Sequence, residues 1–118
     1  MNAIEAMEQA KERLKEARKD MLSVGKLILV RYMDRYWFAT NSERLSVDDK
    51  VCFKREFGHS WDIYAVAVLT EDGRKVGYVD RYLSADMAWN IEKGMSYAAK
   101  FVKLVSGKDC PGLFRIVE

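Results

Sequence analysis

An Asp-Gly pair between two β-type segments is the feature of this chain that most restricts its fold. The segment before it, Ile63–Thr70, is almost continuously apolar, as expected of a strand covered on both faces. The pair, Asp72-Gly73, favours a tight hairpin turn, and Lys75–Val79 then returns as the partner strand. The sequence therefore predicts an antiparallel hairpin near the middle of the chain.

Further β-type segments flank this hairpin. They are Leu27–Tyr32, Val51–Arg55, Ser96–Val105 and Leu113–Val117, with another strand or a bulged continuation at Tyr36–Ala39. An inserted helix is predicted over about Arg81–Lys93, because its apolar residues share one face and Gly94 follows its end. A closed sheet hides strand edges economically at this size. We expect a mainly β (α+β) fold, a small antiparallel OB/SH3-like β-barrel with one inserted helix and an added N-terminal helix. Five aromatic residues are expected in its core: Trp37, Phe53, Trp89, Phe101 and Phe114.

The N-terminal helix is predicted over residues 2–22, where small or flexible apolar residues recur at spacings of three and four. Asn2 is its expected cap, and Gly25 marks its end. We therefore divide the chain into an amphipathic helix, residues 1–23, and a barrel domain, residues 24–118. The apolar stripe packs on the barrel, which is the favoured interpretation, or pairs with the same helix of a second copy in a homodimer.

The composition restricts the class of function only broadly. A length of 118 residues indicates one domain. The net charge of +2 is too small to indicate nucleic-acid binding by itself. Cys52 and Cys110 lack metal-binding spacing and no leader is evident, so we expect reduced thiols, a cytoplasmic protein and no cofactor. No apolar run approaches the roughly 20 residues that cross a bilayer. Cys52 is expected to be buried in its strand, and with His59 it lacks a third orienting group, so we expect no enzyme activity.

Four segments in order resemble the HIRAN domain family. They are "LSVDDKVCFKRE", "WDIYAVAV", "DGRKVGYVDRYLSADMA" and "KG", which fall within Leu45–Gly94. The matching residues are Arg55-Glu56, Trp61-Asp62, Ala65-Val66, Asp72-Gly73, Val76–Val79 and Arg81. The resemblance implies a modified OB- or SH3-like barrel. In a eukaryotic helicase-like member of the family, the domain recognises the 3′ end of single-stranded DNA.

Trp61 and Asp62 are the first candidates for a binding site. An exposed tryptophan stacks on a base, worth about 1–3 kcal/mol, and a carboxylate accepts a hydrogen bond from a terminal 3′ hydroxyl. The structural alternative is a buried Trp61 and an Asp62 that only caps its own turn. The family resemblance favours the binding site.

Four further residues are candidates through the same resemblance: Arg31, Tyr32, Tyr78 and Arg81. Arg31-Tyr32 corresponds to an Arg-Tyr pair that contacts DNA in the helicase-like member. Arg81 at a helix start suits a phosphate. The alternatives are a barrel-wall aromatic for Tyr78 and a solvated charge for Arg81, and both remain open.

The chain departs from the family pattern in the loop before its central strand. The usual Glu-Pro-x-Asn-Pro-Tyr-Asp is replaced by residues 56–62, without either proline or the Asn, and Asp80 replaces a proline before the helix. We therefore expect a loop that is looser than usual, or one that is held by burial of Phe57.

The sequence predicts a non-catalytic module that binds single-stranded DNA, with preference for a 3′ end, in DNA repair or processing. The alternative is a protein-interaction or oligomerisation module that uses the N-terminal helix and binds no nucleic acid.

Overall fold

The computed structural model describes residues 2–11, 22–33, 45–107 and 111–117, which form strands, helices and their connections. The strands are β1 (Leu27–Arg31), β2 (Lys50–Arg55), β3 (Val66–Thr70), β4 (Lys75–Val79), β5 (Ala98–Leu104) and β6 (Gly112–Val117). The helices are α1, over residues 3–11, and α2, Arg81–Glu92. The strand or bulge predicted at residues 36–39 lies outside the described residues, as does Trp37.

The six strands close into an antiparallel barrel in the order β1-β4-β3-β2-β5-β6. β1 completes the circle by pairing with β4 on one side and β6 on the other. The turn at Asp72-Gly73 joins β3 to β4 as predicted, and Gly73 adopts φ +88°, which a glycine tolerates without steric cost. The prediction of a small antiparallel barrel with one inserted helix is confirmed.

The core lies inside the barrel, where inward-facing residues alternate along each strand. Its largest fully buried members include Ile28, Met33, Met87, Phe114 and Ile116. β3 is covered on its outer face as well, because Ala67 packs in a second apolar cluster with Ala65 and Tyr78, bordered by Tyr32 and Leu69. This outer cluster explains the nearly continuous apolar run of β3, and it places Tyr32 and Tyr78 on the outside of the barrel wall.

The aromatic residues expected in the core fall into two groups. Phe101 and Phe114 are buried with ring centroids 5.3 Å apart, and the half-buried Phe53 packs against the same core. Trp89 contradicts the prediction, since it is 56% exposed. It lies on the outer side of α2, where Lys93 Nζ is 5.3 Å from the ring centroid.

Cys52 also contradicts the sequence-based expectation, because it is exposed although it lies in a strand. Strand residues alternate between the two faces. Val51 faces the core, so Cys52 faces outward. Cys110 lies outside the described residues.

Helix α2 agrees closely with its prediction. The Asp80 side chain caps it by accepting from the Tyr82 backbone N–H at 3.3 Å. Leu83 and Met87 are buried on its inner face, and the chain turns after Glu92 through Gly94 at φ +99°. Asp80, which replaces the usual proline, therefore serves as the N-cap of the helix. A proline has no side-chain acceptor and does not cap a helix in this way.

Helix α1 has the predicted cap, a hydrogen bond of 2.8 Å from the Glu5 backbone N–H to Asn2 Oδ1. All residues from 2 to 11 are exposed, among them the apolar Ile4 and Met7. The favoured prediction, that the apolar stripe packs on the barrel, is therefore wrong for this part of the helix. Residues 12–21 lie outside the described residues, and the domain boundary after residue 23 stays a prediction.

Within the described part of the chain, no helix has the length and apolar character needed to cross a membrane. The same residues contain no cluster of three or more His, Cys, Asp or Glu side chains suited to a metal ion.

Candidate nucleic-acid interface

A cavity of about 160 Å³ opens on the outer surface of the barrel, where β1 and β4 meet the start of α2 and the loop of residues 56–65. Its lining contains all six residues that the sequence nominated: Arg31, Tyr32, Trp61, Asp62, Tyr78 and Arg81. Four lining residues were not nominated: His59, Ala65, Val79 and Asp80. The fold thus brings the nominated residues to one place, and their contact with a nucleic acid stays a prediction.

The pairing of β1 with β4 sets two of these residues side by side. Arg31 and Tyr78 are register partners, so their side chains share the outer face. Gly77 permits this close approach, because a Cβ at Gly77 would overlap the Arg31 carbonyl oxygen and lie 3.0 Å from a Val30 methyl group. The glycine in the Val76–Val79 match is therefore required by the backbone of β1.

The next residue, Tyr32, turns the chain away from β1. It adopts φ 64°, a left-handed conformation that costs a non-glycine residue about 1–2 kcal/mol. Its side chain packs against the outer cluster that contains Tyr78. Packing against this cluster offsets the backbone strain and brings the phenol ring to the cavity wall.

The Arg31 side chain is held by a carboxylate from the start of α2. Arg31 Nη2 lies 3.1 Å from Asp80 Oδ2, and both side chains are partly buried. Asp80 is also the N-cap of α2, so one residue orients both the helix and the guanidinium. Because Asp80 replaces the family's proline, it adds a negative charge to the cavity and neutralises part of the positive charge of Arg31.

Asp62 lies in the loop opposite, and both of its carboxylate oxygens accept hydrogen bonds. Oδ1 accepts from the Tyr64 backbone N–H at 2.9 Å, which forms the self-capped turn that the structural alternative described. Oδ2 accepts from the Ser84 hydroxyl of α2 at 2.8 Å. An ionised carboxylate has about four acceptor sites, so it retains capacity for a further donor. The turn-capping interpretation and the binding interpretation are therefore compatible.

His59 orders the backbone at Trp61 and Asp62, a role that the sequence did not indicate. Its Nδ1 atom accepts from the backbone N–H of Trp61 at 3.2 Å and of Asp62 at 3.1 Å. The ring packs edge-on against Tyr78, with centroids 4.8 Å apart. In this geometry Nδ1 is the acceptor nitrogen of the ring, and both backbone N–H groups share it.

Two of the nominated aromatic rings differ in how much surface they offer. Trp61 is 65% exposed at the cavity rim, so the alternative in which its indole belongs to the core is wrong. Tyr78 is 7% exposed and forms part of the cavity floor, as the barrel-wall alternative described. Trp61 is therefore the larger stacking surface of the two.

The Tyr78 hydroxyl belongs to a charged network beneath the cavity. It donates to Glu56 Oε1 at 2.7 Å and accepts from Lys75 Nζ at 2.9 Å, and Lys75 Nζ lies 3.0 Å from Glu56 Oε2. Burial, helped by the hydrogen bond to Glu56, raises the pKa of Tyr78 to about 12 against the opposing effect of Lys75. The neutral phenol is therefore fixed in place at neutral pH.

The two charged partners respond to the same network in opposite directions. Burial favours a higher pKa for Glu56, but the hydrogen bonds from Tyr78 and Lys75 outweigh it and lower the pKa of that carboxyl. Burial favours a lower pKa for Lys75, but Tyr78 and Glu56 outweigh it and raise the pKa of the ammonium. Both groups are charged at neutral pH and anchor the Tyr78 ring.

Arg55 holds the loop that lacks the family's prolines. Its guanidinium donates to the carbonyl oxygens of Glu56 at 2.7 Å, Ala65 at 3.2 Å and Ile63. Its Nε atom also lies 3.1 Å from Glu92 Oε1 of α2. One side chain thus joins both ends of the loop to the helix.

Burial of Phe57 is not what holds this loop. The alternative in which a buried Phe57 holds the loop is wrong, since the ring is 74% exposed. It lies over the Arg55 guanidinium, whose Cζ is 4.5 Å from the ring centroid. The Arg-Glu pair at the end of β2 was the sequence signal for these contacts. Arg55 binds the carbonyl groups of the loop, and Glu56 binds the Tyr78 hydroxyl.

Comparison with known proteins supports the fold. The HIRAN domain family profile matches residues 22–117. The crystal structure of the HIRAN domain of human HLTF is similar with a TM-score of 0.62 and 14% identity, over 79% of this chain and 73% of that chain. A crystal structure of a protein from Lactobacillus plantarum is similar with a TM-score of 0.55 and 24% identity, over 80% of this chain and 96% of that chain. At these identities the two structures bear on the fold alone. No curated protein matches significantly.

Proposed function

This chain belongs to the HIRAN domain family, and on that premise we propose that it binds single-stranded DNA with the 3′ terminus in the cavity beside α2. HIRAN domains are DNA-binding modules and are generally non-catalytic, so family membership supports nucleic-acid binding in general. The preference for a 3′ end follows the family resemblance, and the site residues below are proposed to carry it.

The main support for the proposal is that aromatic, basic and acidic side chains line the same cavity. Trp61 offers a largely exposed indole at the rim, where a base would stack with about 1–3 kcal/mol. Arg81, the first residue of α2, is exposed and adds a cation to the same lining. Asp80 is paired with Arg31, so a flat ring beside Arg81 and the Asp62 carboxylate suits one terminal nucleotide.

Asp62 is proposed to select the terminus. Its carboxylate repels a phosphate, whereas it accepts a hydrogen bond from a free 3′ hydroxyl, a group that exists only at a strand end. Two donors already hold the carboxylate, the Tyr64 N–H and the Ser84 hydroxyl. A carboxylate fixed in this way needs little reorganisation when a nucleotide docks.

Fluorescence anisotropy with matched labelled oligonucleotides tests the proposal. An oligonucleotide with a 3′ hydroxyl should bind more tightly than the same oligonucleotide with a 3′ phosphate, by about tenfold or more, because a hydrogen bond to a charged group is worth about 1.5–3 kcal/mol. Asp62→Asn keeps the size of the side chain and removes its charge, so it should reduce this discrimination. Equal affinities of the wild-type protein for both oligonucleotides would reject end recognition.

A role in DNA repair or processing is proposed from the same chemistry. Free 3′ hydroxyl ends are the substrates and products of enzymes that trim, extend or join strands. A non-catalytic module that holds such an end would deliver DNA to a partner of that kind. Co-purification with a strand-processing enzyme that depends on Asp62 would support this role.

A homodimer formed through the N-terminal helix is the second candidate, because Ile4 and Met7 are exposed on the described part of α1. In that interpretation the chain is an interaction module whose contact surface is the helix. Light scattering on the full chain and on a truncated chain beginning at Ser23 separates the two functions. A dimer that is lost on truncation, without any DNA binding by either protein, would favour this candidate over the first.

A further inference from the structure

Three cations lie in one row across neighbouring strands on the outside of the barrel. The register pairs Lys50 of β2 with Lys100 of β5, and Lys100 with Arg115 of β6. Register partners project from the same face, and all three residues are exposed. Strands lie about 4.8 Å apart, so the three side chains start within roughly 10 Å of one another.

None of these three cations forms a salt bridge with another described residue. Arg115 Nη1 donates a hydrogen bond to the Gly25 carbonyl oxygen at 3.2 Å. This hydrogen bond to a neutral group does not neutralise the guanidinium, which has further N–H donors. The acidic residue beside Lys50, Asp49, uses its Oδ2 atom to accept from the Ser46 backbone N–H at 2.7 Å. No salt bridge joins Lys50, Lys100 or Arg115 to a carboxylate in residues 2–11, 22–33, 45–107 and 111–117.

The row connects to the cavity along the outer face of β2. Lys54, which is exposed, pairs with Ala67 of β3, and Ala67 pairs with Tyr78 of the cavity floor. Lys50 and Lys54 share the outward face of β2, and four residues of a strand span about 13 Å. Lys54 thus lies on the outer face of the barrel between the cavity and the row.

We propose that Lys50, Lys100 and Arg115 form a second contact surface for the same DNA strand, which binds backbone phosphates several nucleotides before the 3′ terminus. Lys54 lies on the path between the two. Charge complementarity selects this occupant, since three cations in a row, none of them in a salt bridge among the described residues, match a chain of phosphates. The inference rests on the proposed function, because the cavity supplies the fixed end of the strand.

Oligonucleotides of about 4 and about 12 nucleotides separate the two contacts, in line with site sizes of roughly 4–16 nucleotides on barrels of this kind. The wild-type protein should bind the longer strand more tightly and with a steeper salt dependence. In the triple variant Lys50→Gln, Lys100→Gln, Arg115→Gln, the slope of log K against log salt should fall by about 2 for the longer strand, because each phosphate contact contributes about 0.7. Its affinity for the shorter strand should stay unchanged.

A variant with the same loss of charge controls for net charge: Lys11→Gln, Arg74→Gln, Lys93→Gln. It should keep the length-dependent gain. If both triple variants lose the same affinity, or if the wild-type protein binds both lengths equally, the second contact is overturned. If the short strand does not bind but the long strand binds through the row, the cavity function fails and the row stands.

Footprinting of the wild-type protein tests the inference without relying on the folding of a variant. Bound DNA should protect Lys50 and Lys100 from an amine-reactive reagent when the strand is long and leave them reactive when it is short. Lys11 should react equally in both complexes. Reactivity of Lys50 and Lys100 that does not change with the long strand would overturn the inference.

Discussion

The Ser84 hydroxyl donates a hydrogen bond of 2.8 Å to Asp62 Oδ2 and so ties the loop before β3 to helix α2. Ser84 is buried, with 1% of its surface exposed. The carboxylate proposed to recognise a 3′ hydroxyl is therefore positioned by the inner face of α2 as well as by its own turn.

Ser84→Ala should weaken the discrimination between 3′ hydroxyl and 3′ phosphate oligonucleotides several-fold. The variant leaves Asp62 without its contact to the helix, and we expect the free energy of unfolding to fall by about 1 kcal/mol. Anisotropy titrations and thermal unfolding measure the two effects. Ser96→Ala, at an exposed position after α2, is the control. Unchanged discrimination in Ser84→Ala would show that the helix contact does not position Asp62.

Trp61→Ala should weaken the binding of single-stranded DNA by about 1–3 kcal/mol, and equally for all base sequences, because every base has a face on which an indole stacks. Trp61→Phe should retain part of the affinity. Trp89→Ala removes another exposed indole from a different surface and should leave binding unchanged. A larger loss of DNA affinity in Trp89→Ala than in Trp61→Ala would indicate that DNA binds to the outer side of α2 instead.

Arg55→Leu should lower the free energy of unfolding by about 2–4 kcal/mol, because it leaves three carbonyl oxygens and Glu92 without their common donor. DNA affinity should fall with it, since the loop that carries Trp61 and Asp62 loses its anchor. Chemical denaturation and anisotropy give the two values. Lys54→Gln, at the adjacent outward position, should change stability by less than about 0.5 kcal/mol. Equal stability of both variants would refute the role of Arg55.

Glu56→Gln should reduce the loss of stability in acid. The pKa of Glu56 is lower in the folded protein than its usual 4.5, so its ionised form stabilises the fold above that value. This contribution is lost as the pH falls through the lowered folded pKa. Unfolding measured from pH 7 down through that range should be less pH-dependent in Glu56→Gln than in the wild type. Glu71→Gln, in the exposed hairpin, should resemble the wild type.

Tyr78→Phe tests the alkaline side of the same network. The pKa of Tyr78 is raised from 10 to about 12 in the folded protein, so the neutral phenol favours folding. The stability it contributes is complete below pH 10 and is lost as the pH rises towards 12. The variant should therefore be less stable at neutral pH and less sensitive to pH over that alkaline window. A wild-type protein that shows no change of stability there would contradict the network.

The sequence predicted the barrel because its local signals agree with one another. Alternating residues, the Asp-Gly turn and the capped helix α2 each depend on neighbours that are close along the chain. The placement of Phe101 and Phe114 in the core follows from the same alternation. Trp89 was wrongly assigned because α2 packs on the barrel with one face and exposes the other. Residue type alone does not tell on which of the two faces a tryptophan lies.

In the candidate site, too, some features follow from the sequence and others depend on the tertiary structure. The sequence by itself determined the types and the order of the six nominated residues, since an aromatic, a carboxylate and basic side chains lie at fixed places in the family pattern. Only the tertiary structure decided what holds them: Asp80 against Arg31, and Ser84 against Asp62. The physical reason is that hydrogen bonds between residues distant in sequence depend on the path of the loop and on strand register, and no local preference specifies either.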